Sequence, residues 1–181
     1  TPTASLTSLT VNNTNATGVT LSVPLSVSGT LTMTSGIINT TTTNLLTLGT
    51  ATVAGTLAGT PSDTNMVRGP FARTIANANA NTNYILFPVG KTTYAPIWAA
   101  PATTAASVMK AETFDTNTGT QSAAIANMAT NRRWELPLVS GTITNINVRL
   151  GDAGVLATSI PVQAPSASGE YTSTFGSVAT A

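Results

Sequence analysis

Few residues in this chain could bind a cation. The stretch Asp115-Thr116-Asn117-Thr118-Gly119 places oxygen-bearing side chains at alternate positions ahead of a glycine, as the start of a calcium-binding loop does. The distal acidic residue that would complete an EF-hand loop is missing. Asp115 and Asn117 are therefore a weak calcium candidate, set against the alternative of an Asx-rich turn, and we predict no other metal site.

Catalysis would have to depend on paired carboxylates. Glu112 with Asp115, or Glu135 with Asp152, has the residue types that glycoside hydrolysis requires. The chain contains only six acidic residues, so such pairs arise by chance, and the two arginines just before Glu135 favour an ion pair. Histidine and cysteine are absent, which excludes a Ser-His-Asp triad, imidazole or thiolate metal ligands and disulfides. We predict a non-enzymatic protein with no catalytic residue and no cofactor.

Four aromatic residues, Tyr84, Tyr94, Trp98 and Trp134, have the chemistry of a sugar-stacking platform. Both tryptophans lie within apolar segments, A-P-I-W-A-A and R-R-W-E-L-P-L. We therefore expect these tryptophans to pack in the core, and surface glycans remain a possible partner.

The composition indicates an unusual surface. Charged residues make up 7% of the 181 residues, against about 25% in typical soluble proteins. Hydroxyl and amide groups must cover the exterior, which favours an exported, extracellular or cell-surface protein. The net charge of +1 gives no clustered basic surface for nucleic acid. No apolar run approaches the ~20 residues of a transmembrane helix.

The elements that would position any site are strands. From Val19 to Met33 apolar residues hold nearly all the odd positions and Ser or Thr holds most of the even ones, a period of two. Fifteen extended residues would span roughly 50 Å, so the run either bends at Pro24 or Gly29 into solenoid rungs or pairs as a long edge strand with another subunit.

We predict an all-β fold with a β-solenoid-like N-terminal layer that merges into a β-sandwich. The expected organisation is an extended arm at residues 1–18, a solenoid-like or long-strand region at 19–66 and a β-sandwich-like region at 67–181. Further strands are predicted at Ser107–Thr113, Arg133–Leu138, Thr142–Leu150, Val155–Pro161 and Glu170–Phe175. The short apolar pairs of the N-terminal region show no fixed period.

Several motifs resemble a known group of proteins. They are L-T-M-T-S-G-I-I-N-T, V-R-G-P-F-A-R-T-I, F-P-V-G-K with Y-A-P-I, and N-R-R-W-E-L followed by S-G-T-I-T-N-I-N-V-R-L-G-D-A-G. With these, the chain from about residue 30 resembles exported, repeat-containing β-rich cell-surface proteins of Bacteroidota, which often carry a type IX secretion sorting domain. No such sorting domain is evident in this sequence. The resemblance implies export and a β-rich fold, and it implies no activity.

These features predict a structural subunit of an extracellular filament or surface assembly. Copies of the chain would form a homopolymer by donor-strand-like β-strand addition through the N-terminal segment. The expected subunit interface comprises Leu6, Leu9, Val11, Val19, Leu21, Val23, Leu25 and Val27. The alternative is an adhesin or carbohydrate-binding module of a larger surface protein, in which the alternating run stays within its own chain.

Overall fold

The computed structural model describes residues 3–125, 127–154 and 159–174, and within these ranges the chain forms strands and no helix. Strands β1 to β8 span Ala4–Asn12, Val19–Thr20, Leu25–Ser35, Ile38–Asn39, Leu46–Leu48, Thr56–Gly59, Val67–Arg68 and Phe71–Ile75. Strands β9 to β14 span Ile85–Phe87, Val89–Gly90, Ile97–Thr103, Ser107–Phe114, Thr120–Gln121 and Arg133–Glu135. Strands β15 to β19 span Leu138–Ser140, Ile143–Leu150, Val162–Gln163, Glu170–Tyr171 and Ser173–Thr174.

The N-terminal half is a stack of coils. One parallel sheet runs β1-β3-β5-β8, with β6 also paired to β3, and a second parallel sheet runs β2-β4-β7-β10. Because the chain alternates between the two sheets, each coil adds strands to both, and the coil that contains β5 and β6 adds two strands to the first sheet. The predicted all-β, solenoid-like architecture is confirmed.

The period-two pattern explains why these strands face as they do. In β3, Val27, Leu31 and Met33 are fully buried between the sheets, while the alternate hydroxyl residues face outward. The same inward face continues into β5 and β8 with Leu48 and Phe71, both fully buried. This continuous apolar interior is the core of the solenoid.

The run from Val19 to Met33 bends at one of the two expected positions. Pro24 lies in the corner between β2 and β3, where its carbonyl accepts a hydrogen bond of 2.9 Å from the amide of Ala4. Gly29 remains inside β3, opposite the point where the register with β1 shifts. A Cβ at Gly29 would lie 2.7 Å from the carbonyl oxygen of Thr7, so glycine here allows the bulged β1 to approach closely.

The other end of the solenoid is closed by antiparallel strands. Strand β12 pairs antiparallel with β8 and in turn carries β14 and β15 on its far side. A separate antiparallel sheet, β9-β11-β16, packs its inner face against the core through Phe87, Ile97 and Ala99, all fully buried. Two small sheets, β13-β18 and β17-β19, complete the described chain.

The boundaries differ from those expected from the sequence. Residues 4–12 are not an extended arm but the first strand of the solenoid, because Leu6, Leu9 and Val11 continue the apolar inner face. Parallel stacking also extends past residue 66, through β7, β8 and β10.

Most of the predicted C-terminal strands are present. Strands β12 and β16 match the predictions within one residue, whereas the strand predicted at Arg133–Leu138 is split into β14 and β15 at Leu136-Pro137. The strand predicted at Val155–Pro161 falls largely outside the described residues.

Candidate assembly edge

The N-terminal coil leaves one end of the solenoid open. Strands β1 and β2 are the outermost members of the two parallel sheets, and both lie at the same end of the stack. Within the described ranges no strand pairs with the outer side of either one. The backbone N–H and C=O groups on this side can therefore accept a further strand in each sheet.

Apolar side chains are exposed at this end. Leu6 on β1 is 41% exposed and Val19 on β2 is 40% exposed. A groove of about 290 Å³ opens between the two strands into the end of the core. Its apolar lining consists of Leu9, Val11, Val19, Leu21, Leu25 and Ile38. We refer to β1, β2 and this groove as the N-terminal edge.

The N-terminal edge carries none of the charges that normally discourage strand pairing. The first charged residue of the chain is Asp63. The opposite edge of the sheet that contains β1 is more irregular. Pro137 interrupts it between β14 and β15. Strand β14 carries the Arg133–Glu135 ion pair of 2.9 Å. On β15, the side chains of Leu138 and Val139 are 40% and 55% exposed.

The predicted interface residues occupy three kinds of position. Leu6 and Val19 are exposed at the N-terminal edge, and Val11 is almost fully buried behind it. The partly buried members of the set are Leu9, Leu21, Val23 and Leu25. Val27 lies in the second coil and has no exposed surface, so it cannot contact a neighbouring subunit. The three strands of this segment, β1, β2 and β3, all pair within their own chain. The backbone groups that remain open to a neighbouring subunit lie on the outer edge of β1 and β2.

The calcium candidate is held by internal contacts. The Asp115 carboxylate pairs with Arg132 and accepts a hydrogen bond of 3.0 Å from the amide of Thr92. Burial raises the pKa of Asp115, but the hydrogen bonds from Thr92 and the Arg132 charge together hold it below its usual value. The Asn117 Oδ1 accepts from the amide of Gly119 at 3.1 Å, as in an Asx turn, and from the Tyr171 hydroxyl at 3.2 Å. Across the described ranges no group of three or more acidic residues converges as metal ligands would.

Each carboxylate of the candidate catalytic pairs forms an ion pair with a basic side chain. Glu112 forms an ion pair of 2.9 Å with Lys91, and Arg132 joins Asp152 at 2.9 Å. The expected ion pair of Glu135 with a neighbouring arginine is confirmed, with Arg133 as the partner. These contacts fix the antiparallel end of the molecule.

The two tryptophans have different environments. Trp134 packs against the core as expected, and its indole Nε1–H donates to the carbonyl of Ala95 at 3.1 Å. The expectation of core packing is wrong for Trp98, which lies on the outer face of β11 because its neighbours Ile97 and Ala99 take the inner positions.

Trp98 lies directly opposite Arg149 on β16, and the Arg149 guanidinium stacks over the Tyr84 ring. Sequence reasoning missed Arg149. The signal was available, since Arg149 occupies an outward position in the alternating segment I-T-N-I-N-V-R-L.

Comparison of the chain with known protein families, with characterised proteins and with solved structures gave no match. Among the described residues there is no helix of the length and apolar character that a membrane span would need.

Proposed function

We propose that this protein is a structural subunit of an extracellular assembly whose copies join by β-strand addition at the N-terminal edge. The observation that carries the proposal is the coincidence of two open sheet edges, exposed Leu6 and Val19, and the groove between them at one end of the molecule. A neighbour that supplied one strand to each sheet would pair the open backbone groups and cover the core. Backbone hydrogen bonds then supply affinity, and alternate apolar side chains supply register.

The electrostatics of the chain agree with a partner that is a second copy. Because no charge precedes Asp63, the edge of one copy meets no repulsion from the same region of another. Growth into a polymer requires a second, different contact surface on each copy. The exposed Leu138 and Val139 of β15, on the opposite side of the sheet that contains β1, are the complementary surface we assign to that role.

The surface chemistry supports an extracellular location in this proposal. A chain with 7% charged residues and no cysteine or histidine depends on hydroxyl and amide groups for hydration. Such a surface suits subunits that pack against copies of themselves. The alternative function, a glycan-binding module, is favoured by two observations: the alternating run pairs within its own chain, and Trp98 lies in an outward position beside Arg149.

The proposal is tested by placing charge on the N-terminal edge. The double variant Leu6→Lys/Val19→Lys adds two cations there without removing a buried side chain, and Val53→Lys is the control because Val53 is 60% exposed in the loop between β5 and β6, which contributes no strand to that edge. Substitution is preferable to deletion, since removal of β1 would only present β3 as a new open edge.

Sedimentation velocity and electron microscopy over a range of concentrations provide the measurement. We expect the wild-type chain and Val53→Lys to form the same extended oligomers, and the double variant to remain a folded monomer. A wild-type chain that stays monomeric at every concentration, or a double variant that assembles as the wild type does, would overturn the proposal.

A further inference from the structure

Three side chains form a cluster on the outer face of the β9-β11-β16 sheet. Trp98 on β11 is directly opposite Leu86 on β9 and Arg149 on β16. Tyr84 precedes β9 and lies two residues before Leu86, so it belongs to the same face. We call Tyr84, Trp98 and Arg149 the aromatic–arginine cluster.

Arg149 presents a free cation. Its guanidinium carbon lies 3.9 Å from the centroid of the Tyr84 ring, which fixes the orientation of the planar group. Arg149 is exposed and has no carboxylate partner among the described residues, in contrast to Lys91, Arg132 and Arg133. A guanidinium that is already oriented loses less conformational freedom when it binds a planar anion through two hydrogen bonds.

Trp98 supplies an apolar surface next to that cation. It is only partly buried although both of its sequence neighbours are fully buried in the core. Residues directly opposite each other in an antiparallel pair have Cβ atoms roughly 4.5–5.5 Å apart, so the indole and the Arg149 side chain are adjacent. Asn145, exposed on the same face of β16, adds an amide that can bind hydroxyl groups.

We propose that the aromatic–arginine cluster binds a carboxylated sugar, a hexuronate residue of a polysaccharide. The Arg149 guanidinium would pair with the carboxylate, and the C–H face of the sugar ring would lie on the Trp98 indole. A simple anion would satisfy only the guanidinium, and a neutral sugar would satisfy only the indole and the amide. This site is on a different sheet from the N-terminal edge, so the proposal stands or falls independently of assembly.

Calorimetric titration of the full chain with tetragalacturonate, compared with the neutral galactotetraose, tests the inference. We expect tetragalacturonate to bind at least about tenfold more tightly than the neutral sugar, because one charge-assisted pair is worth about that factor. Arg149→Gln and Trp98→Ala are each expected to weaken binding about tenfold or more. Arg149→Lys keeps the charge but lacks the planar fork, so its affinity should fall between those of the wild type and Arg149→Gln.

Lys110→Gln is the matched control. It removes the same charge from β12, which belongs to a different sheet from the aromatic–arginine cluster, and the Lys110 side chain makes no ion pair or hydrogen bond within the described ranges, so binding should be unchanged. Circular dichroism and the urea midpoint establish that each variant is folded. The proposal is overturned if tetragalacturonate fails to bind at millimolar concentration, if the neutral sugar binds equally well, if inorganic phosphate at equal concentration displaces the sugar, or if folded Arg149→Gln and Trp98→Ala bind as the wild type does.

Discussion

Arg73 is a cation inside the apolar core, and its replacement by methionine tests how the solenoid tolerates it. Arg73 lies on β8 between Phe71 and Ile75, both fully buried, and is itself 8% exposed. Its guanidinium donates from Nη1 to the carbonyl of Leu86 at 2.6 Å and from Nη2 to the carbonyl of Gly55 at 3.1 Å. The Nε–H is buried without an acceptor among the described residues, and no carboxylate pairs with the charge.

Two opposing contributions determine the result of Arg73→Met. Burial lowers the pKa of Arg73 to about 10, and a lowering of this size corresponds to about 3 kcal/mol for keeping the guanidinium charged in the core. Each hydrogen bond from a charged group contributes about 2 kcal/mol, so losing both removes about 4 kcal/mol. We therefore expect Arg73→Met to be less stable by about 1 kcal/mol, a small net effect of two large ones.

Arg73→Lys separates the two contributions. Lysine retains the buried charge, but a single ammonium group cannot reach two carbonyls from the fixed fork of arginine. It should therefore be less stable than the wild type by about 2 kcal/mol, and less stable than Arg73→Met.

Urea denaturation measures the free energy of unfolding of the three proteins. Lys110→Met is the control, because this change removes a cation whose side chain makes no ion pair or hydrogen bond among the described residues, and it should change stability by no more than about 0.5 kcal/mol. An Arg73→Met variant more stable than the wild type, or less stable than Arg73→Lys, would refute the reasoning.

Three further substitutions test other parts of the fold, each by urea denaturation. Gly29→Ala should destabilise by about 1–3 kcal/mol, because the new Cβ meets the backbone of the bulged β1 at 2.7 Å; an unchanged stability would contradict this close approach. Glu112→Gln should cost about 1–2 kcal/mol through the loss of its partly buried ion pair with Lys91, and an effect below 0.5 kcal/mol, on the order of a surface pair, would show that the pair contributes little. Because the folded-state pKa of Asp115 is lowered, its contribution is present above the unfolded pKa of 3.8 and is lost as the pH falls through the folded value. Wild type should therefore lose stability more steeply than Asp115→Asn below about pH 4, and equal slopes would argue against the Thr92 and Arg132 contacts.

The strands could be predicted from the sequence but their partners could not. The alternation of apolar and polar residues from Val19 to Met33 predicts which face of the strand is buried. Similar alternation predicts β2, β3, β12 and β16. A stack of coils can be predicted from the sequence when the repeat length is constant, and in this chain the repeat length varies. Successive partners in the first sheet are Ala4, Leu25, Leu46 and Phe71, at intervals of 21, 21 and then 25 residues (25 − 4, 46 − 25 and 71 − 46). The insertion that carries β6 accounts for the irregularity.

The orientation of Trp98 illustrates a second limit. Ile97, Trp98 and Ala99 are all apolar, so alternation cannot tell which of them face inward. The pairing with Arg149 settles the question, and that pairing joins residues about fifty positions apart. By contrast, Arg73 lies two residues after Phe71 and two before Ile75. Because alternate residues of a strand face the same side, the sequence predicts that Arg73 faces inward with them.

Hydrogen exchange at the N-terminal edge is the most direct test of the proposed assembly. The measurement compares the backbone amides of β1 and β2 in dilute and concentrated protein, with the amides of β16, the edge of a different sheet, as the internal control. Strand addition predicts that the open amides of β1 and β2 become protected in the concentrated sample while those of β16 do not change. Oligomers that form with β1 and β2 still exchanging at the rate of the dilute protein would contradict assembly through this edge.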